Sequence, residues 1–264
     1  MKTWKLGKLF LLPQALSPTS EGQGVTLADL ARTPRTRSRI ALFILLLTLN
    51  AGWTDMLAYL FLGHVFASFL TGNFLFIGLG LAQGTSGLLI SALAAVLASL
   101  VGITVGTFFL KRGPQRRTAR AWCITLVRIL LMEWLLFLAF AIIWYVTSPL
   151  SQQARVQILL LCLLALGMGI QGALVQAFNF PGVVANALTG TMLTLGQRLA
   201  EAIEHPGLKS GKWRWRHLFR VMLLLTYVFS AFVVALTSTS LLVPVVPLII
   251  VTIVIFSVPV FILR

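Results

Sequence analysis

The sequence predicts an all-α fold, a polytopic transmembrane helical bundle built from two internal repeats. First, 58% of the 264 residues are hydrophobic and only 10% are charged, whereas soluble domains carry about 25% charged residues. Second, the mean hydropathy is +0.96, and several apolar runs reach the ~18 residues of a membrane-spanning helix. Third, the stretch around residue 71 recurs around residue 189, which indicates a duplicated unit.

A basic, proline-containing tail over residues 1–39 precedes the first apolar run. Its short run LFLLP falls below the ~7–15 apolar residues of a signal-peptide core. We therefore expect a cytosolic tail that is partly disordered, followed by a single integral membrane domain over residues 40–264.

Repeat one covers residues 40–146 and holds four apolar segments. The first is long and contains polar residues, and the second is short and interrupted by Thr71-Gly72. The third and fourth are long and flank a basic loop at 111–120. These four segments are 40–62, 65–82, 88–110 and 122–146.

Repeat two covers residues 156–263 and holds the corresponding four segments. The second of these is again short and carries Thr189-Gly190, and a basic stretch at 208–220 leads into the next. The four segments are 156–178, 183–202, 217–237 and 241–263.

The two Thr-Gly segments are the strongest indication of a duplication. Windows 65–82 and 183–200 are identical at nine of eighteen positions, and the match includes both Thr-Gly pairs. Burial in a membrane requires apolar residues but not a repeated Thr-Gly-polar sequence, so a common origin of the two halves explains the match. Internal repeats of this kind recur in secondary transporters.

The basic residues predict that the two repeats have opposite orientations. Lys and Arg cluster before the first segment and at 111–120 in repeat one, but at the non-equivalent stretch 208–220 in repeat two. Because cytoplasmic loops are enriched in Lys and Arg, we expect inverted halves. Inversion requires an odd number of crossings in each half.

One segment in each half must then fail to cross the membrane. The short Thr-Gly segments are the candidates, and we expect six full spans plus two re-entrant or broken segments, with helix breaks at Gly72 and Gly190. Non-helical backbone at membrane depth needs protein or water around it. The short turn Gly63-His64 also suits an alternative with eight full spans and parallel repeats.

The formal net charge of +15 does not predict binding to nucleic acid, because the basic residues flank apolar runs. Membrane topology and contacts with anionic lipids at the basic loops explain them. Membrane lipids are the expected partners, and a homo-oligomer is compatible with the sequence. The expected location is the bacterial inner, or plasma, membrane, with both termini cytoplasmic.

Polar residues inside the apolar segments predict a path for a substrate or an ion. Asp55 lies deep in the first segment, where an ionised carboxylate costs about 2.5–3.5 kcal/mol. Both a coupling carboxylate and a carboxylate that caps the free amides of the broken segment are compatible with this position. The further path candidates are Asn50, Thr71, Asn73, Gln171, Asn186, Thr189 and Thr191.

Glu133 and His64 are secondary candidates. Glu133 lies in the middle of the fourth segment, and Arg128 precedes it by five positions, about 140° around a helix, so the two are poorly placed to pair. His64 lies in the turn before the second segment, where a surface position is the simpler interpretation. Close packing of small and polar residues between helices is the alternative explanation for the candidates as a set.

We expect no enzyme, cofactor or metal site. The sequence lacks a GxxxxGK[ST] phosphate loop, an HExxH helix and a GxSxG elbow. An aspartyl mechanism needs two carboxylates that share a site, and nothing in the sequence places Asp55 beside Glu133.

The segments GWTDMLAYLFLGHVFASFLTGN and GMGIQGALVQAFNFPGVVANALTGT resemble the YoaK-like family of small multi-pass bacterial membrane proteins. The resemblance covers about residues 40–263. It implies an inner-membrane location and little biochemistry, since the family is known chiefly as a domain of unknown function. The matching positions are Gly52, Asp55, Phe66, Thr71, Gly72, Asn73, Met168, Gly169, Gln171, Ala173, Thr189, Gly190 and Thr191.

Three functions are compatible with the sequence. A small secondary transporter or channel, moving a small solute or ion through a polar path at the repeat interface, best explains the duplication, the charge pattern and Asp55. A non-transporting assembly or regulatory membrane protein is the alternative. An intramembrane enzyme is the least favoured.

Overall fold

The described part of the chain is all-helical, as the sequence predicts. The computed structural model describes residues 34–112, 118–147, 154–178, 188–204, 211–240 and 242–262. Within these ranges the chain forms eight α-helices and no strand. They are α1 (Pro34–Phe61), α2 (Leu70–Gln83), α3 (Ser86–Lys111), α4 (Ala119–Thr147), α5 (Ala154–Ala177), α6 (Leu188–Glu204), α7 (Gly211–Leu236) and α8 (Val246–Ile262).

These helices confirm a polytopic helical membrane bundle. Five of them contain a stretch that is long and apolar enough to cross a membrane, and α2 and α8 are shorter apolar helices. The first helix begins at Pro34, inside the stretch expected to be a tail, and residues 1–33 lie outside the described part. Predominantly apolar segments form these helices because a helix satisfies its own backbone hydrogen bonds in lipid.

The first helix of each predicted repeat lies at the centre of the bundle. In the apolar windows of α1 and α5, 72% and 67% of the residues are buried, whereas the windows of α3, α4 and α7 are only 28–39% buried. Most of the outer helices' surface is therefore left for lipid, and α1 and α5 carry the interior positions.

The helix contacts have the pattern of a two-fold pseudosymmetry between the two predicted repeats. Helix α3 packs on α5 as α7 packs on α1, α4 packs on α5 as α8 packs on α1, and α2 packs on α3 as α6 packs on α7. Contacts α1–α5 and α4–α8 join equivalent helices. In the second of these, Trp134 Nε1 donates to Thr252 Oγ1 at 2.9 Å, and the two positions are 118 residues apart.

The two central helices run antiparallel. Asn50 bonds to Gln171, and the rings of Phe43 and Phe178 meet edge to face at 5.4 Å. From the first of these contacts to the second, the position moves seven residues towards the start of α1 and seven residues towards the end of α5. The first helices of the two repeats thus point in opposite directions, as an inverted repeat requires.

Helix α2 does not take the chain across the bundle. Contacts Asn50–Glu133 and Phe61–Trp144 each join residues 83 apart, so α1 and α4 run parallel. Residues of α3 meet residues of α5 in the same order, since Ser99 bonds to Ala165 and Gly106 lies against Ala173. Because α3 is parallel to α5, it is antiparallel to α1, and the chain enters α3 from the side on which α1 ended.

Glycines allow α3 and α5 to approach at backbone distance. A Cβ atom on Gly102 would lie 2.2 Å from the carbonyl oxygen of Leu166, and one on Gly169 would lie 2.3 Å from that of Ser99. The pseudosymmetric contact is similar, because a Cβ on Gly52 would lie 2.2 Å from Ser230 Oγ of α7. Close approach through small residues is a common means of helix association in membranes.

We expect Gly169→Ala to destabilise the protein by about 1–3 kcal/mol, because the added methyl forces two backbones apart. The measurement is the thermal unfolding midpoint of the detergent-solubilised protein. Gly78→Ala is the matched control, since a Cβ there meets nothing within 4 Å. Equal unfolding midpoints for the two variants would contradict the close packing.

Candidate functional site

The chain reverses direction immediately after α1. Gly63 and His64 both have positive φ angles, 96° and 59°, in a region that glycine adopts freely and that histidine tolerates better than most residues. The His64 side chain is exposed, and its ring lies against Tyr59. His64 therefore forms part of the turn, and its side chain lies outside the polar interior. It was a secondary site candidate in the sequence, and the structure gives it the surface position that was the simpler interpretation.

Beyond this turn, residues 62–69 form a non-helical segment that returns into the bundle beside α3, which we call the re-entrant segment. Gly63 lies against Ser91 near the start of α3, and Ala67 accepts a hydrogen bond from Ser99 near the middle of α3. The segment therefore descends along eight residues of α3, about 12 Å. The helix α2 then leads back to the start of α3.

Asn73 pairs with the backbone of the re-entrant segment. Its Nδ2 donates to the carbonyl oxygen of Phe66 at 2.7 Å, and its Oδ1 accepts from the Phe66 N–H at 2.9 Å. The side chain is fully buried. One amide thus satisfies both polar backbone groups of a residue that has no helical partner.

Asp55 fixes the lower end of the same segment. Its Oδ1 accepts from the Ser68 N–H at 2.6 Å, and its Oδ2 accepts from Ser68 Oγ at 2.7 Å and from the Tyr227 hydroxyl at 2.6 Å. This is the amide-capping arrangement that the sequence left open for Asp55. Because Tyr227 belongs to α7, the contact also joins the two predicted repeats.

Ser99 and Gly72 complete the frame around the re-entrant segment. Ser99 Oγ donates to the carbonyl oxygens of Ala67, at 3.2 Å, and Ala165, at 3.1 Å. A Cβ on Gly72 would lie 2.5 Å from the Phe69 ring. The helix break therefore precedes Gly72, which lies in the first turn of α2 and makes room for the aromatic ring.

The corresponding part of repeat two is described only in part. Gly190 lies in the first turn of α6, like Gly72 in α2, and Thr191, 118 positions after Asn73, is buried. No hydrogen-bond partner of Thr191 Oγ1 is found among the described residues. Asn186 and the side chain of Thr189 lie outside the described part.

A second polar group occupies the interface of α1, α4 and α5, and we call it the central cluster. It consists of Asn50, Glu133 and Gln171, each no more than 1% exposed. Asn50 Nδ2 donates to Gln171 Oε1 at 2.9 Å and makes a longer contact of 3.4 Å with Glu133 Oε1. Gln171 Nε2 donates to the carbonyl oxygen of Leu47 at 2.9 Å.

Two oxygens of the central cluster have no hydrogen-bond partner among the described residues: Asn50 Oδ1 and Glu133 Oε2. A buried, unpaired polar atom costs about 1–3 kcal/mol, and such atoms in native proteins often mark a bound water, an ion or a functional group. Both are oxygens, so together they offer acceptors to a proton or a cation.

The sequence-predicted candidates therefore fall into separate groups. Asn50, Gln171 and the secondary candidate Glu133 come together in the central cluster, whereas Asp55 and Asn73 bind the re-entrant segment. Thr71 is exposed beside Asn73 and joins neither group.

Sequence reasoning missed Tyr227 and the role of Ser99. Tyr227 lies in an apolar stretch without a motif, and its contact with Asp55 joins residues 172 positions apart. Ser99 has one available signal, because the pseudosymmetric position on α7 is also a serine, Ser230, and each packs against a motif glycine of a central helix.

We expect Asn73→Ala to destabilise the protein by about 1–3 kcal/mol for each unpaired Phe66 group, since the Phe66 N–H and carbonyl oxygen both lose their hydrogen-bond partner. Backbone hydrogen exchange over residues 62–69 should accelerate together with a lower unfolding midpoint. Thr71→Ala in the same motif is the control and should leave both unchanged. Slow exchange in Asn73→Ala would show that the segment is held in another way.

Comparisons with known proteins identify the family. A family model described as "Protein of unknown function (DUF1275)" matches residues 43–254. The chain is also similar to the UPF0700 transmembrane protein YoaK of Bacillus subtilis (strain 168), with 25% identity over 193 residues, 73% of this chain and 81% of the relative. No solved structure matches the chain. The chain belongs to the DUF1275 family of multi-pass transmembrane proteins.

Proposed function

We propose that this member of the DUF1275 family is a small secondary transporter or channel whose polar path lies at the interface of the two repeats. The observation that carries the proposal is the central cluster with its two unpartnered oxygens, Asn50 Oδ1 and Glu133 Oε2. An intramembrane acid is a functional-site hypothesis by default, and Glu133 has one oxygen without a hydrogen-bond partner among the described residues. The protein would act without enzymatic chemistry.

The central cluster suits a small monovalent cation, either a proton or Na⁺. Its unpaired groups are a carboxylate oxygen of Glu133 and the amide oxygen of Asn50, and oxygen ligands of this kind suit a coupling ion. Two of the three residues come from repeat one and one from repeat two. Relative movement of the repeats would therefore change the geometry of the site.

Asp55 supports the path instead of forming the ion site in this proposal. All of its described contacts are accounted for by Ser68 and Tyr227, with the Phe69 amide nearby. The coupling role that the sequence gave to Asp55 therefore passes to Glu133. Asp55 would hold the re-entrant segment against α7 and so link the two repeats.

A six-span topology in the inner membrane, with both termini cytoplasmic, accompanies the proposal. The start of α1, the end of α3 and the start of α4 lie on one side, because α1 and α4 are parallel and α3 is antiparallel to both. That side carries Arg39, Lys111, Arg112 and Arg120. By the positive-inside rule, this side is cytoplasmic.

We expect the purified protein in liposomes to carry a cation flux that protein-free liposomes lack. The probes are radiolabelled Na⁺ and a trapped pH-sensitive dye, each with the membrane potential set by a K⁺ gradient and valinomycin. Whichever of the two fluxes the parent protein carries, Glu133→Gln should lower its rate about tenfold or more, because a contact to a charged group is worth about 1.5–3 kcal/mol.

Glu201→Gln is the matched control, because Glu201 is an exposed glutamate of α6, and this variant should retain the parent flux. Absence of both fluxes in the parent protein would overturn the proposed function. Equal flux in Glu133→Gln and the parent would place the path away from the central cluster.

A labelling experiment tests the proposed topology. In a background with Cys123→Ala and Cys162→Ala, Arg112→Cys should react with a membrane-impermeant maleimide only from the cytoplasmic side. Arg155→Cys, at the start of α5, should react only from the outer side, because an odd number of crossings separates the two positions. Labelling of both from one side would exclude the six-span arrangement.

A further inference from the structure

The cytoplasmic ends of α3 and α4 border a groove of about 560 Å³. Two of its lining residues are arginines: Arg112, just after the end of α3, and Arg128, in α4. The remaining lining residues are Phe109, Thr125, Ile129, Leu131 and Met132. The groove therefore combines two cations and a hydroxyl with an apolar wall, and no acidic residue is among its described lining residues.

The position of Arg128 is unusual for a cationic residue. It lies nine residues into α4, about 14 Å along the helix axis, and its side chain is exposed on a surface that otherwise carries apolar residues such as Ile124 and Leu131. Cationic residues within membrane helices normally face protein or a polar cavity. The groove supplies that cavity, and an arginine side chain can reach from it towards the headgroup level.

Arg112 belongs to the same cationic surface from two sides. Its guanidinium lies 5.5 Å from the ring centre of Phe108. It also lines an adjoining groove of about 530 Å³, together with Lys111, Thr104 and Thr107. In the part of the chain that the structure describes, this second groove is also lined by no acidic residue. The surface around the end of α3 is thus positive and faces the bilayer.

We propose that the groove between α3 and α4 binds the phosphate of an anionic phospholipid, with Arg112 and Arg128 as the headgroup ligands. Guanidinium groups match phosphate oxygens in a bidentate manner. The apolar wall of Phe109, Leu131 and Met132 favours a lipid over a free anion, because acyl chains gain contact area there. The site is independent of the central cluster.

Native mass spectrometry of the full-length protein in detergent tests the proposal. Phosphatidylglycerol should remain bound to the parent protein, whereas phosphatidylcholine should be lost at the same collision energy. Arg128→Gln should weaken phosphatidylglycerol retention about fivefold, the expected loss for one arginine near an anionic headgroup. Arg128→Lys should retain an intermediate affinity, since it keeps the charge but not the bidentate geometry.

Arg155→Gln is the control, because this exposed arginine lies at the opposite end of the bundle, and it should bind phosphatidylglycerol like the parent. Unfolding midpoints in lipid-free detergent verify that all variants are folded. Equal retention of phosphatidylcholine, or equal losses in Arg128→Gln and Arg155→Gln, would overturn the proposal. Displacement of the lipid by millimolar inorganic phosphate would show a free-anion site and would also overturn it.

Discussion

The re-entrant segment imposes the constraint on which the rest of the structure depends: a non-helical backbone inside an apolar bundle must find its hydrogen-bond partners in the protein or in enclosed water. The partners come from three helices, with Asp55 from α1, Asn73 from α2 and Ser99 from α3. These three side chains provide hydrogen bonds that the non-helical segment cannot make within itself. The rest of the neighbouring helices can therefore be apolar. The Thr-Gly-Asn motif is therefore explained by Gly72, which admits an aromatic ring, and Asn73, which pairs with backbone.

The same constraint determines the direction of the chain. Because the segment turns back, α3 begins on the side where α1 ends. Helices α3 and α4 therefore each run opposite to the direction that they would have in an eight-span bundle. The antiparallel contact between α1 and α5 then follows, because two crossings, α3 and α4, lie between them and the first half has three crossings in all. Close packing through Gly52, Gly102 and Gly169 brings the central helices against their neighbours. The pseudosymmetry thus extends from helix order down to individual glycine contacts.

The sequence predicts the helices well, because the spans depend on a local pattern, the length of the apolar runs. The identity of two windows predicts the duplication, and the pattern of helix contacts is compatible with it. The polar residues inside the apolar segments of the sequence also include those that the structure places in the interior, such as Asn50, Asp55 and Gln171. The sequence does not tell which of them meet, because contacts such as Asn50–Gln171 and Asp55–Tyr227 join residues 121 and 172 positions apart. It placed Asp55 on the path because an isolated membrane acid is usually functional, whereas the structure shows three hydrogen-bond donors that only the re-entrant segment and α7 provide. Glu133 is only a secondary candidate in the sequence, because Arg128 is poorly placed to pair with it. Its contact with Asn50 forms only in the folded bundle.

The two buried acids, Asp55 and Glu133, have different hydrogen-bond partners, and helix α1 connects their surroundings. Asp55 and Asn50 lie five residues apart on α1, and Thr54 Oγ1 between them bonds back to the carbonyl oxygen of Asn50. This turn of α1 therefore connects the anchor of the re-entrant segment to the amide of Asn50. That amide joins Glu133 of repeat one to Gln171 of repeat two. In the proposed transporter, a movement of the re-entrant segment would reach the cation ligands through α1. The aligned motifs place Gly172 of repeat two where repeat one has Asp55, so repeat two has no carboxylate at this position. The two halves thus share the pattern of their helix contacts but differ in this acidic side chain, which makes the interface of the proposed path chemically asymmetric.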